Sequence, residues 1–338
     1  MEYSRVGDSG LLVSRIVYGN AVTHGDQVDE SVAQECIRAA LDSGINTFDT
    51  ADAYAGGRAE EILGRTLAGE RRDSLVICTK VGRWARPDDP NTGRLSRKHI
   101  SESIDGSLRR LGLDHVDLYQ AHRHDAETPL EETLTAFADV VRAGKALYIG
   151  VSEWPADRIR EAARLARELG VPLIANQPQY SILWRVIESE VLPASQESGV
   201  GQIVWMPLAG GALTGKYRAG QALPTGSRAE ATAGGAKSIG RWDYLNEKVL
   251  AAVADLEPVA ADAGLTLPQL AIAWVLGRPG VNATVMGASR AAQLLENVKA
   301  VEVTLDDDLL QRIDAAVTPV VRSDPSLTLD PLGSAARL

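Results

Sequence analysis

Between Arg15 and Ala300 the sequence alternates eight times between a short apolar or β-branched run and a segment of helical period. RIVYG (15–19) precedes a pattern with Val32, Cys36, Ile37, Ala40 and Leu41 on one face. INTFDTA (45–51) leads to RAEEILGRTLAG, SLVICTK (74–80) to SRKHISESIDGSLRRLG, and HVDLYQAH (115–122) to PLEETLTAFADVVRAGK. ALYIGVS (146–152), PLIANQPQY (172–180), GQIVWMPL (201–208) and NATVMGAS (282–289) continue the series, with helices expected around 185–198 and from about Asn246. Strands buried on both faces read as unbroken apolar runs, and helical crossovers make neighbouring strands parallel. Eight such units in one chain predict an α/β fold of the (β/α)8 barrel type. A doubly wound open sheet is the competing architecture. It would announce a dinucleotide site with GxGxxG after the first strand, and VYGNAVTHG (17–25) does not match.

The remaining segments fit around a barrel. Residues 2–14 read as a hairpin turning at Gly7–Gly10 that closes one end, and 306–317 as an additional helix. Residues 209–245 are glycine-rich and too long for an ordinary connection, which marks a functional loop. No linker splits the chain, so 1–322 is expected as one domain with 323–338 as a mobile tail. Hydrophobic residues at 45% and charged residues at 24% are a soluble globular composition. A net charge of -10 argues against nonspecific nucleic-acid binding, which needs a basic footprint. The two cysteines, Cys36 and Cys78, sit in apolar surroundings as buried thiols and suit a reducing cytosol. The N-terminus lacks a signal-peptide pattern, and no stretch approaches the roughly 20 apolar residues of a membrane span. A cytoplasmic protein is expected.

In such a barrel, chemistry lies at the C-terminal ends of the strands. The second strand ends at Asp49 with Tyr54 in its loop, the third at Lys80 and the fourth at His122. Ser152 ends the fifth, and Asn176 and Gln177 end the sixth. Taken singly, a strand-end lysine is an ordinary solvated charge and a strand-end aspartate a turn or capping residue. Their arrival on neighbouring strands weakens those readings. His122 and His124 share a strand face, but a zinc site needs a third ligand, and no metal is expected. A tyrosine hydroxyl, with a pKa near ~10, is a poor acid at neutral pH. A lysine ammonium beside it favours the phenolate, a carboxylate fixes the lysine, and a histidine orients a carbonyl oxygen. The set suits protonation of an alkoxide formed as hydride reaches a carbonyl carbon. No serine or cysteine pairs with the histidine as in a nucleophilic triad. Asp52 reads as a turn residue.

GINTFDTADAY, VICTKVG, DLYQAH, GVSEW, NQPQYS, MPLAGGALTGKY and GASRAAQLLENV together resemble the aldo-keto reductase superfamily, over roughly residues 3–317. RLSRKHI (94–100) and TPLEETLTAF (128–137) further resemble the branch of voltage-gated potassium-channel β subunits and their bacterial relatives. The resemblance implies an NADPH-dependent carbonyl reductase whose tetrad is Asp49, Tyr54, Lys80 and His122, with Tyr54 as general acid. It places Ser152 and Gln177 on the nicotinamide carboxamide and stacks Trp205 on the nicotinamide ring. Cofactor contacts are also implied for Gly19, Asn20, Met206, Pro207, Leu208, Gly210 and Lys216, the last four in or beside a loop over the pyrophosphate. Gly287, Ser289, Arg290, Gln293, Glu296 and Asn297 fall at the adenosine end, where Arg290 favours NADPH over NADH. GGALTGKY also fits GxxxxGK, but Tyr217 stands where a P-loop carries serine or threonine.

Two positions depart from the family pattern. Asn20 stands where small or hydroxyl residues are commoner. Glu153 follows Ser152 where many members have Asn and the channel subunits Arg, so it either alters the carboxamide contacts or points to solvent. His122 is a reductase feature, since channel subunits typically have Asn there. The expected activity is reduction of an aldehyde or ketone. Val22, Trp84, Trp154 and the tail are expected to rim the substrate pocket, and the aromatic walls suit an aromatic or short aliphatic aldehyde, with a small sugar aldehyde also open. The rival expectation is a redox-sensing β-type subunit of a potassium channel. Related members assemble as homotetramers or octamers.

Overall fold

The eight apolar runs become eight parallel strands of one closed barrel in the computed structural model, which describes residues 1–25, 27–83, 89–225, 227–231 and 243–328. Ahead of the barrel, β1 (Tyr3–Arg5) and β2 (Leu12–Ser14) form the expected antiparallel hairpin. The barrel strands are β3 (Ile16–Gly19), β4 (Thr47–Asp49), β5 (Val76–Val81), β6 (Val116–Ala121), β7 (Ala146–Val151), β8 (Leu173–Asn176), β9 (Gly201–Trp205) and β10 (Val281–Met286). Each pairs in parallel with the next, and β10 closes on β3. The open-sheet alternative is thereby excluded.

Around the barrel lie α1 (Glu30–Asp42), α2 (Arg58–Leu67), α3 (Arg97–Leu111), α4 (Leu130–Arg142), α5 (Ala156–Glu168), α6 (Val191–Glu197), α7 (Arg228–Ala231), α8 (Glu247–Asp262), α9 (Leu267–Leu276), α10 (Ala291–Val298) and α11 (Asp307–Val317). Two helices differ from expectation. The one around 185–198 shortens to α6, and the single helix from Asn246 is a pair. α8 and α9 meet at 87°. Gly264 at φ 69 takes the left-handed conformation after α8, and Thr266 opens α9 with a capping box closed by Gln269. No single helix among the described residues is long and apolar enough to cross a membrane.

Side chains alternate across the strands with period two, which divides the core into two layers. Val17, Val76, Cys78, Leu118, Ile203 and Ala283 point into the barrel and pack with Val6 and Val13 of the hairpin, which plugs that end. Gly7 (φ 53) permits the plug, because a Cβ there would meet the Gly199 carbonyl oxygen at 2.3 Å. The outward residues join the helices in the larger cluster, where Ile77, Ile100, Ile104 and Tyr119 meet. Arg322 is tied back to the body, since the Arg185 N–H donates to its carbonyl at 2.7 Å. Residues 329–338 of the expected tail lie outside the described residues.

Candidate active site

The inward phase that places Val76 and Cys78 in the barrel continues two residues on to Lys80, and the phase of Thr47 continues to Asp49. Lys80 is therefore fully enclosed. Its ammonium donates to Asp49 Oδ1 at 2.5 Å, to the Thr50 carbonyl at 2.9 Å and to Tyr54 Oη at 3.2 Å. Burial alone would lower the lysine pKa, but the Asp49 carboxylate and Tyr54 outweigh it and the net shift is upward. The other Asp49 oxygen accepts from Gln177 Nε2 at 2.8 Å, so the carboxylate is held from both sides.

Tyr54 opens the turn Tyr54–Gly57, where Ala55, Gly56 and Gly57 all have positive φ and swing the chain from β4 into α2. Its ring lies edge-on to His122, with centroids 5.5 Å apart. His122 is buried, and its pKa falls well below the ordinary value through burial, then through Arg123, Lys80 and Arg83. The imidazole is uncharged at neutral pH, and Nδ1 has no hydrogen-bond partner among the described residues.

Above these groups opens a cavity of about 1200 Å³, larger than the ~300–1,000 Å³ of ordinary small-molecule pockets. Asp49, Tyr54 and His122 line it, as do Ser152, Gln177 and Trp205. The wall also includes Gly19, Met206, Pro207, Leu208, Gly210 and Lys216, together with Gly287, Ser289, Arg290, Gln293, Glu296 and Asn297. The structure thus gathers nearly every candidate site residue around one space. Ser152 Oγ donates to the Gln177 carbonyl at 2.8 Å. Gln293 Oε1 accepts from Ser289 Oγ at 3.0 Å, and Glu296 Oε1 from Gln269 Nε2 at 2.9 Å.

Among the described candidates, Asn20, Trp154 and the enclosed Lys80 do not line the cavity. Asn20 is buried but does not line the cavity, because its Nδ2 turns to the Ala59 carbonyl of α2 at 3.1 Å. Trp154, expected on the rim, is 1% exposed and packs edge-on against His124 behind the wall. That removes one of the two aromatic walls on which the substrate expectation stood. Trp84 lies outside the described residues. Val22 does line the cavity.

Several participants escaped sequence reasoning. Arg123 lines the cavity, with Nη1 donating to the His122 carbonyl at 2.7 Å and to Ser152 Oγ at 3.3 Å. Its place directly after a strand-end histidine was the available signal. Glu153 is buried rather than solvated, and its carboxylate accepts from the Trp205 indole. Asp52 is more than a turn residue: it is buried and accepts from Ser103 Oγ of α3 at 2.7 Å. His99 Nε2 stands 4.0 Å from Asp52 but accepts from the Gly93 N–H, so that ring is neutral and the pair is not ionic.

Comparison with known proteins agrees with this architecture. The model of the aldo/keto reductase family matches residues 15–318. A protein of Oryza sativa subsp. japonica named "Probable voltage-gated potassium channel subunit beta" is 42% identical over 334 residues, covering 97% of this chain and 99% of its own. One of the same name from Arabidopsis thaliana is 44% identical, with 90% and 92% covered. A Schizosaccharomyces pombe protein named "Putative voltage-gated potassium channel subunit beta" is 42% identical, with 91% of each chain covered. With eight parallel strands closed into a barrel and the family model spanning all of them, this chain belongs to the aldo/keto reductase family.

Proposed function

We propose that the chain reduces aldehydes or ketones to alcohols with NADPH, Tyr54 delivering the proton. The observation that carries this is the contact of the enclosed Lys80 ammonium with both Asp49 and Tyr54 Oη at the cavity floor. The lining suits a dinucleotide. Hydroxyl, amide and aromatic groups (Ser152, Gln177, Trp205) and the cations Lys216 and Arg290 all line the cavity. Ala209, Gly210 and Gly211 follow one another with positive φ, a tight turn that brings Gly210, Gly211 and Lys216 to the cavity wall. Arg290 precedes the first turn of α10, where free amides favour a phosphate.

When bound, the reduced nicotinamide supplies the hydride. Tyr54 Oη donates its proton to the carbonyl oxygen, and Lys80, 3.2 Å away, stabilises the phenolate left behind. Asp49 and the Thr50 carbonyl hold the ammonium in that position. His122, uncharged, is a poor proton source and serves to orient the carbonyl oxygen. Positioned acid catalysis of this kind contributes typically about 10²–10⁴-fold.

Titration with NADPH and NADH, coupled to turnover of an aldehyde panel, tests the proposal. NADPH is expected to bind at least about tenfold tighter, with Arg290→Ala narrowing the gap through loss of one charge-assisted phosphate contact. Tight NADPH binding with no turnover of any carbonyl would contradict it. That outcome would favour the second reading, a redox-sensing β-type channel subunit, which the names and full-length coverage of the relatives support.

A further inference from the structure

Glu153 has φ 59, a left-handed conformation that a glutamate rarely adopts. The unusual backbone turns its side chain away from the cavity that Ser152 lines and into the protein, where it is 4% exposed. Both of its contacts go to one oxygen. Oε1 accepts from Trp205 Nε1 at 2.6 Å and from the Gln179 N–H at 2.5 Å. Gln179 and Trp205 are themselves bridged as the chains run on from β8 and β9, with the Trp205 N–H donating to the Pro178 carbonyl at 3.0 Å. One carboxylate thus ties the end of β7 to the two strands beyond it.

The indole it holds is part of the cavity wall, and the Arg123 guanidinium lies 5.9 Å from the ring centroid. An indole in a wall can present its face or its edge to the cavity, and fixing the N–H selects one presentation. Burial raises the Glu153 pKa, with Arg123, the indole and the Gln179 N–H opposing. The accepting role survives loss of that charge, because a carboxyl or amide carbonyl oxygen also accepts, though less strongly than a carboxylate. Burying a carboxylate on a strained backbone is costly and calls for a compensating role.

We propose that Glu153 is a positioning residue that clamps the Trp205 indole and so shapes the end of the cavity where the nicotinamide docks. The inference rests on the NADPH reading above. Glu153 touches neither cofactor nor substrate, and its effect on binding passes through Trp205.

Dissociation constants for NADPH, with kcat at saturating NADPH, decide the matter in a double-mutant cycle of Glu153→Ala and Trp205→Phe, with Glu153→Gln alongside. Glu153→Ala is expected to weaken NADPH binding about tenfold, the size of one lost charge-assisted hydrogen bond, with kcat nearly unchanged. Glu153→Gln keeps the acceptor and stays within about threefold. In the Trp205→Phe background, which keeps an aromatic ring but no N–H, Glu153→Ala adds little. Should Glu153→Ala fail to fold, Glu153→Asp takes its place: one methylene shorter, it keeps a carboxylate but withdraws it from the indole, and the same loss is expected. Additive losses in the cycle, or equal losses for Gln and Ala, would overturn the clamp while leaving NADPH binding by the unmodified protein intact. Failure of the unmodified protein to bind NADPH would instead overturn the cofactor reading, and the clamp with it.

Discussion

At the scale of single residues, the site depends on charges held out of water. Lys80 and Asp49 keep theirs because each is the other's partner and further hydrogen bonds complete the set. Among the described residues, Asp52 has no such partner. Burial pushes its carboxyl up to about 7, the Ser103 hydrogen bond and Arg110 only partly opposing, while nearby Glu60 adds to the rise. Between the ordinary value of 3.8 and about 7, the folded chain holds a proton that the unfolded chain releases. The stability this provides is complete below 3.8 and is lost as pH rises through about 7. Asp52→Asn is therefore expected to stabilise the protein by about 2–4 kcal/mol above about pH 8 and to change little below about pH 4. Urea denaturation at the two pH values checks this, and equal effects at both would contradict it. Asp49, Lys80 and His122 were legible because the strand phase fixes where each points, and Tyr54, in the turn after β4, because the motif GINTFDTADAY carries it. Asp52, Glu153 and Trp154 were not, because they lie in loops whose direction follows local φ, such as the 59° of Glu153, and the sequence does not announce it.

At the scale of elements, the turn that carries Tyr54 leads straight into α2, which is pressed against the end of α3. Gly64 makes this approach possible, since a Cβ there would lie 2.3 Å from the Leu111 carbonyl oxygen and 2.7 Å from its Cα. Backbone cannot give way as a side chain does. Gly64→Ala is expected to destabilise by about 1–3 kcal/mol despite the better helix propensity of alanine. Gly69→Ala, with nothing within 4 Å of the added methyl, serves as the tolerated control. Thermal unfolding of the pair checks the contrast, and similar midpoints would contradict it. The eight strands were readable because nearly all their residues are enclosed on both faces, Leu147 of β7 being an exposed exception. The break between α8 and α9 was hidden because Leu265, Leu267 and Leu270 carry the apolar pattern across it, leaving only Gly264 and the Thr266–Gln269 box as signals.

At the scale of the whole molecule, a chain of net charge -10 repels anions at long range. The anionic cofactor we propose would be drawn by local cations, and Arg83, Arg123, Lys216 and Arg290 line the cavity. Closure of eight strands gathers Asp49 and Tyr54, Trp205 of β9 and Arg290 at the start of α10 around one cavity, though they are far apart in sequence. Proton delivery by Tyr54 is the claim on which this arrangement turns, and the Tyr54→Phe protein tests it most directly. NADPH affinity and kcat/KM for a good aldehyde substrate are to be measured on the same preparations as the unmodified protein. Affinity is expected within about threefold, because the hydroxyl is lost but the ring and its packing on His122 remain, while kcat/KM falls by about 10²–10⁴-fold. Unchanged turnover by Tyr54→Phe would remove the tyrosine as the proton donor.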